Sequence, residues 1–323
     1  MLEFLVSETL MQATAVIFDK PGQLRLGTVA TIEPRPTDVV VEIDFTGIST
    51  GTERLLWNGR MPAFPGLGYP LVPGYEAVGR VVHAGAESGR AIGDNVFVPG
   101  TSGYVDVKGL FGGSASILVA DAARILPVPS NLGERATLMA LAATACHVVS
   151  APGAGCPDLI VGHGVLGRLL ARIVIAAGGP APVVWECAPS RQSGAMGYAV
   201  VAPQDDPRRD YKSIVDVSGD ASLLDSLIQR CARGGEIVLA GFYEDRPSFD
   251  FAPAFMREVR LRISAEWAPP DLQTALALID QGRLSLDGLV SDCRPAEAAA
   301  EAYPSAFLDP QCLKMTLDWR TLQ

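Results

Sequence analysis

The stretch Leu159-Ile160-Val161-Gly162-His163-Gly164-Val165-Leu166-Gly167 decides how this chain is read. Three apolar residues make a short strand, a Gly-x-Gly-x-x-Gly loop follows, and residues 169–177 have the composition of a helix. Each glycine has a task in a dinucleotide-binding turn. Gly162 permits the tight turn, Gly164 lets the backbone approach a pyrophosphate, and Gly167 permits close helix–strand packing. Backbone N–H groups of His163, Val165 and Leu166, at the positive end of the helix dipole, then face the phosphates.

A bare glycine pattern is a weak signal, and the surroundings make this one specific. A second strand, Val183-Val184-Trp185, runs into Glu186, 24 positions after Gly162. That is close to the spacing of about 20 expected for a ribose-binding carboxylate. Such a carboxylate accepts from both ribose hydroxyls and repels a 2′-phosphate, which points to NAD. Arg191 argues for NADP, since an arginine nearby holds that phosphate.

Working outward, residues 213–217 and 236–240 are apolar strands separated by a helical stretch at 221–232. Strands apolar on both faces and alternating with helices predict a parallel, doubly wound sheet. Residues 13–125 instead read as short strands between Gly- and Pro-rich turns, among them Val39-Val40-Val41-Glu42-Ile43 and Asn95-Val96-Phe97-Val98, a pattern that suits a β-rich barrel. Residues 132–149 are helical in composition and end at Pro152. Beyond residue 271 come two helical stretches, 272–281 and 296–307, and a strand at 312–317.

Composition sets the limits. A chain of 323 residues has room for two domains. With 48 % hydrophobic and 19 % charged residues it builds large cores and is not disordered. A net charge of −10 and the lack of any basic run exclude nucleic acid as a partner. Residues 1–11 carry Glu3 and Glu8 and no cation, unlike a secretory signal, and the first ten residues read as an extension before Met11. No apolar run reaches membrane-spanning length, so a cytoplasmic location is expected. Six scattered cysteines without a Cys-x-x-Cys pair read as reduced thiols, and three histidines are few for a metal site.

With these elements placed, the chain resembles the medium-chain dehydrogenase/reductase family over almost its whole length. The resemblance rests on Gly47-Ile48-Ser49, Gly51-Thr52-Glu53, Pro73-Gly74-Tyr75-Glu76-Ala77-Val78-Gly79 and Gly93-Asp94-Asn95-Val96. The dinucleotide loop, Val215-Asp216-Val217-Ser218-Gly219 and the segment from Gly234 to Gly241 complete it. It implies an α/β architecture: a GroES-like β-rich substrate domain (residues 1–144 and 269–323) wrapped around a Rossmann domain (145–268). Ser218 and Gly241 would then lie beside the cofactor. Zinc-dependent relatives carry cysteine where this chain has Ser49 and Thr50, histidine where it has Tyr75, and a further ligand where it has Ala140. No cysteine lies between Asn95 and Ala145, where some relatives hold a second zinc. Glu76 alone remains, and one carboxylate does not replace a three-ligand site, so no metal is expected.

The finer pattern, Gly47 to Arg54 with Pro73 to Glu76, resembles a branch of the family acting on bacteriochlorins. It implies oxidation of a 3-(1-hydroxyethyl) side chain of the tetrapyrrole to an acetyl group. Without zinc, a side chain must take the hydroxyl proton or hydrogen-bond the developing oxyanion. Tyr75 is the first candidate, provided a neighbouring charge lowers its pKa; otherwise it simply fills the vacated metal cavity. Ser49 or Thr50 would donate to the substrate oxygen. Glu53 or Glu76 would orient a water or relay the proton, unless Glu76 pairs with an arginine beneath it. His147 is the histidine nearest the cleft or else a satisfied core residue, and His83 reads as surface.

A flat apolar substrate asks for a wide apolar pocket, for which Trp57, Met61, Phe64, Leu67, Tyr69 and Leu71 are candidates, unless they pack on the barrel. Arg54 or Arg60 would meet its propionate. Two other functions stay open: a zinc-free quinone or enone reductase, and a dinucleotide-binding protein without catalysis. A homodimer through a Rossmann edge strand and a peripheral membrane contact also stay open.

Overall fold

A computed structural model describes residues 10–63, 65–151 and 155–323. The expectations for residues 1–9, for Phe64 and for Pro152 lie outside these.

The first part of the chain is made of short strands. They are β1 (Gln12–Lys20), β2 (Gln23–Ala30), β3 (Asp38–Ile48), β4 (Leu71–Val72), β5 (Ala77–Ala84), β6 (Asn95–Val98), β7 (Lys108–Gly109), β8 (Ile117–Asp121) and β9 (Leu126–Pro127), with helix α1 (Thr52–Asn58) after β3. Their apolar faces close on a core that includes Phe18, Ile43, Leu56, Leu71, Leu118 and Trp319. The predicted helix at 132–149 divides in two. Gly133 is non-helical, a 3-10 stretch runs over Ser130–Leu138, and α2 occupies Met139–Ser150.

The middle of the chain alternates as expected: β10 (Leu159–Val161), α3 (Val165–Ala176), β11 (Val183–Trp185), β12 (Ala199–Val201), β13 (Tyr211–Asp216), α4 (Leu224–Arg230), β14 (Cys231–Leu239), α5 (Phe251–Arg257) and β15 (Arg260–Ile263). These six strands form one all-parallel sheet in the order β12-β11-β10-β13-β14-β15. From β10 the chain moves outward to β11 and β12, then returns to place β13 on the other side of β10. That reversal opens a crevice at the carboxyl ends of β10 and β13, where such sheets bind nucleotides. The central strand β10 is buried throughout, whereas β12 and β15 have exposed residues because each lies at an edge. In β15 that exposure goes with alternating arginines, Arg260 and Arg262, in place of the apolar run by which the inner strands are recognised.

The last part contributes α6 (Pro269–Asp280), β16 (Asp292–Pro295), α7 (Ala299–Leu308) and β17 (Met315–Asp318). Strand β17 pairs antiparallel with β3, Met315 opposite Ile48 and Thr316 opposite Gly47. Both ends of the chain therefore build one seven-stranded sheet. Helix α6 packs on α2, with Leu272 and Ala275 sharing a core with Ala142 and Cys146. Among the described residues no helix is long and apolar enough to cross a membrane.

Candidate functional site

The dinucleotide loop leaves β10 and enters α3 at the crevice. Gly162 has φ +103°, a conformation that glycine adopts at little cost and other residues rarely adopt. A Cβ on Gly167 would overlap the carbonyl oxygen of Gly162, so the third glycine is fixed by packing. A Cβ on Gly164 would meet nothing within 4 Å. The loop is thus closed against its own sheet and open toward the crevice, where a pyrophosphate would lie. No side chain caps the N-terminus of α3, which leaves the first-turn N–H groups of Val165 and Leu166 for an anion.

Glu186 follows β11, and its carboxylate is held from both sides. Oε2 accepts from the His163 N–H (3.2 Å) and Oε1 from the Ala188 N–H (2.8 Å). The His163 N–H therefore serves Glu186, which corrects the expectation that it faces phosphate. The imidazole of His163 is buried and fully used. Nδ1 lies 2.6 Å from the Arg191 carbonyl, to which it donates, so Nε2 accepts from the Tyr198 hydroxyl at 2.9 Å. Burial lowers its pKa, consistent with a neutral ring. Arg191 is turned outward, its Nε donating to the Pro310 carbonyl (2.8 Å). Ser218 and Gly241 meet at the end of β13: the Ser218 N–H donates to Asp216 Oδ1 and the Gly241 N–H to the Asp216 carbonyl. Gly162 packs against the Ser218 backbone, so the structure brings all these residues to one crevice.

The second group of side chains forms where three strand ends meet. Ser49 follows β3, Tyr75 and Glu76 precede β5, and Lys314 precedes β17. Ser49 Oγ and Tyr75 Oη are 2.7 Å apart and hydrogen-bonded. The Tyr75 ring is half-buried, packs edge-on against Phe111, and leans on the core shared by α2 and α3. Behind this hydroxyl cluster Glu53, Glu76 and Lys314 are each at most 2 % exposed. Lys314 Nζ forms an ion pair with Glu76 and donates to the Ile48 carbonyl at 3.1 Å. Glu53 Oε1 accepts the Ser49 N–H at 3.0 Å, while Oε2 is buried with no hydrogen-bond partner among the described residues.

The electrostatics correct two expectations. No charge lowers the pKa of Tyr75. Burial raises it well above the ordinary tyrosine value, and the carboxylates of Glu76 and Glu53 add to the effect. Tyr75 is a donor at neutral pH, not a base. Glu76 does have a cation beneath it, but that cation is Lys314 and not an arginine. Burial also pushes Glu53 up to about 8, with Glu76 adding and the Ser49 N–H and Lys314 opposing. Burial raises Glu76 too, against the pull of Lys314.

Other candidates lie elsewhere. His147 Nδ1 is 2.9 Å from Asp271 Oδ2, an α2–α6 contact, and no hydrogen bond joins it to the Ser49–Tyr75 pair among the described residues. Thr50 is exposed. Met61 and Leu71 are buried in the barrel core, and Trp57, Leu67 and Tyr69 pack against it. Most of the expected pocket wall is barrel packing. Arg60 is already paired with Glu244 and Asp245, whereas Arg54 is exposed without an ion pair among the described residues. Lys314 was not singled out by the sequence. A lysine alone in the apolar run Cys312 to Leu317 was the available signal.

The positions expected from the resemblance to match zinc ligands carry a hydroxyl (Ser49), a phenol (Tyr75) and a methyl (Ala140), the first two hydrogen-bonded to each other and the third 1 % exposed in the core. That donor set does not fit zinc, which takes thiolate, imidazole and carboxylate.

Residues 35–130 match the alcohol dehydrogenase GroES-like domain. A 2-desacetyl-2-hydroxyethyl bacteriochlorophyllide A dehydrogenase from Cereibacter sphaeroides is 55 % identical over 315 residues, covering 96 % of this chain and 99 % of its own. The protein of the same description from Rhodobacter capsulatus is 53 % identical over 311 residues, with the same coverage. A short chain alcohol dehydrogenase from Escherichia coli CFT073, solved with NADH, superposes with a TM-score of 0.80 at 18 % identity, over 95 % of this chain and 99 % of its own.

Proposed function

The chain belongs to the medium-chain dehydrogenase/reductase family, among the bacteriochlorophyllide a dehydrogenases, and from that membership we propose how its residues carry the reaction. It oxidises the 3-(1-hydroxyethyl) group of a bacteriochlorophyllide to an acetyl group, releasing one hydride and one proton. Accepting the hydride is the chemistry a bound nicotinamide supplies. The Gly162–Gly167 loop and the start of α3 would hold its pyrophosphate, and Ser218 and Gly241 would flank it.

NAD is the cofactor on this reading. The fixed carboxylate of Glu186 suits a ribose diol and repels a 2′-phosphate, while Arg191 is engaged by Pro310. The proton half needs no zinc. Tyr75 stays protonated and donates to the substrate oxygen as negative charge develops there, and Ser49 shares that oxygen. The substrate's own hydroxyl proton leaves to water, because Tyr75 and Ser49 serve that oxygen as donors. Glu53 and Glu76 are buried and act by positioning Ser49 and the strand ends. The observation that carries this reading is the Ser49–Tyr75 hydroxyl pair, standing where relatives place metal ligands.

The test is turnover of a 3-(1-hydroxyethyl) bacteriochlorophyllide by purified protein after dialysis against a chelator. The acetyl product should form at an undiminished rate with NAD, and about tenfold or more slowly with NADP. Loss of activity that zinc restores would overturn the metal-free site. Faster NADPH oxidation with quinones than any alcohol oxidation would favour the reductase.

We divide the chain into a substrate domain built from both ends and an inserted dinucleotide domain, with boundaries near residues 144 and 268 and the paired helices α2 and α6 between them. The six free thiols suit a reducing cytoplasm. A second copy pairs along edge strand β15, where Ile263 and, on the preceding helix α5, Phe251, Phe255 and Met256 are all at least 64 % exposed. Wild-type protein should sediment as a dimer and Ile263→Lys as a monomer; a monomeric wild type removes this pairing.

A further inference from the structure

Arg168 comes directly after Gly167, in the first turn of α3, yet its side chain is only 7 % exposed. Helix packing at such a place asks for an apolar residue, because burying a guanidinium is costly unless its donors are met. Among the described residues no carboxylate pairs with it. Its donors go to backbone carbonyls of two different loops: Nε to His163 in the phosphate loop (3.1 Å) and Nη2 to Arg191 in the loop after β11 (3.1 Å). The Arg191 carbonyl also accepts from His163 Nδ1. The same two loops meet again where the His163 N–H holds Glu186, and Gln192 Nε2 donates to the Glu186 carbonyl at 2.9 Å. Gly194, at φ +84°, leaves room for the guanidinium, since a Cβ there would overlap Arg168 Nη1.

We propose that Arg168 is the positioning residue for cofactor selectivity. It clamps the loop of residues 186–194 against the phosphate loop and so fixes the Glu186 carboxylate that reads the 2′ position of the dinucleotide. A planar fork does this with two bonds in set directions, which a lysine cannot reproduce. The proposal rests on the assignment of Glu186 to the ribose made above.

Dissociation constants of NADH and NADPH, read by nucleotide fluorescence, test it on wild type, Arg168→Met, Arg168→Lys and Gly194→Ala. Losing two charge-assisted hydrogen bonds should weaken NADH about tenfold in Arg168→Met, with NADPH weakened far less, so that the ratio between them shrinks. Arg168→Lys should not restore the ratio, although it keeps the charge. Gly194→Ala displaces the guanidinium without removing it and should shift the ratio the same way, which keeps the test decisive if Arg168→Met fails to fold. Variants that keep the wild-type ratio, even with both cofactors weakened equally, overturn the clamp. A wild type that prefers NADPH overturns the NAD assignment, while the change in ratio still reads the clamp.

Discussion

Replacing Lys314 with methionine should lower the free energy of unfolding by about 3–5 kcal/mol, the usual consequence of leaving one member of a buried ion pair alone. Glu76 and Lys314 are both almost fully buried, and no other cation is paired with Glu76 among the described residues. The Ile48 carbonyl loses a donor at the same time. Water has little room to replace it, since even a Cβ on Gly47 would overlap Glu76 Oε2. The charge makes the loss this large, and a second variant shows it. Lys314→Met with Glu76→Gln leaves a neutral amide in place of an unpaired carboxylate and should recover much of the stability. Urea unfolding measures both. A single variant within 1 kcal/mol of wild type would show that the pair contributes little.

Tyr75→Phe should lower kcat about 100-fold while the NADH dissociation constant stays as it was, because the lost hydroxyl acts on the substrate oxygen alone. The effect is that of removing an oxyanion donor, since Tyr75 is held in its protonated form by burial and by the carboxylates behind it. Ser49→Ala should cost less, and the double variant little more than Tyr75→Phe, because the two hydroxyls share one hydrogen bond. A proton-accepting tyrosine would instead make the rate rise with pH as the phenol ionises, a limb that vanishes in the variant. Full turnover by Tyr75→Phe with the bacteriochlorophyllide would remove the residue from the chemistry.

The cofactor crevice was legible in the sequence because its parts are local. Strand, glycines and helix are contiguous, and Glu186 follows at a spacing set by one βαβ unit. What lies behind Ser49 and Tyr75 was not legible, because it is assembled from β3, β5 and β17 by sheet register. Glu76 called for a cation, but only the pairing of Met315 with Ile48 decides that Lys314 supplies it. The apolar residues from Trp57 to Leu71 misled for a related reason: composition marks a buried loop and a pocket wall alike. The pKa of Tyr75 also needed the fold, since its direction is set first by burial and then by two carboxylates, neither of which the sequence can place.

The Lys314–Ile48 bond joins residues 266 apart in sequence. A ribosome delivers Ser49, Tyr75 and both buried glutamates long before it delivers the cation they close upon. Until then the emerging barrel has an open slot beside β3 and a carboxylate that water must hold. The parallel sheet, whose strands all lie between those two points, is free to form first. Birth order and assembly order are thus reversed for the reactive pocket: the residues made earliest are among the last to be locked. Anything that delays β17 would leave a molecule able to hold its nucleotide while its chemistry is still unfinished.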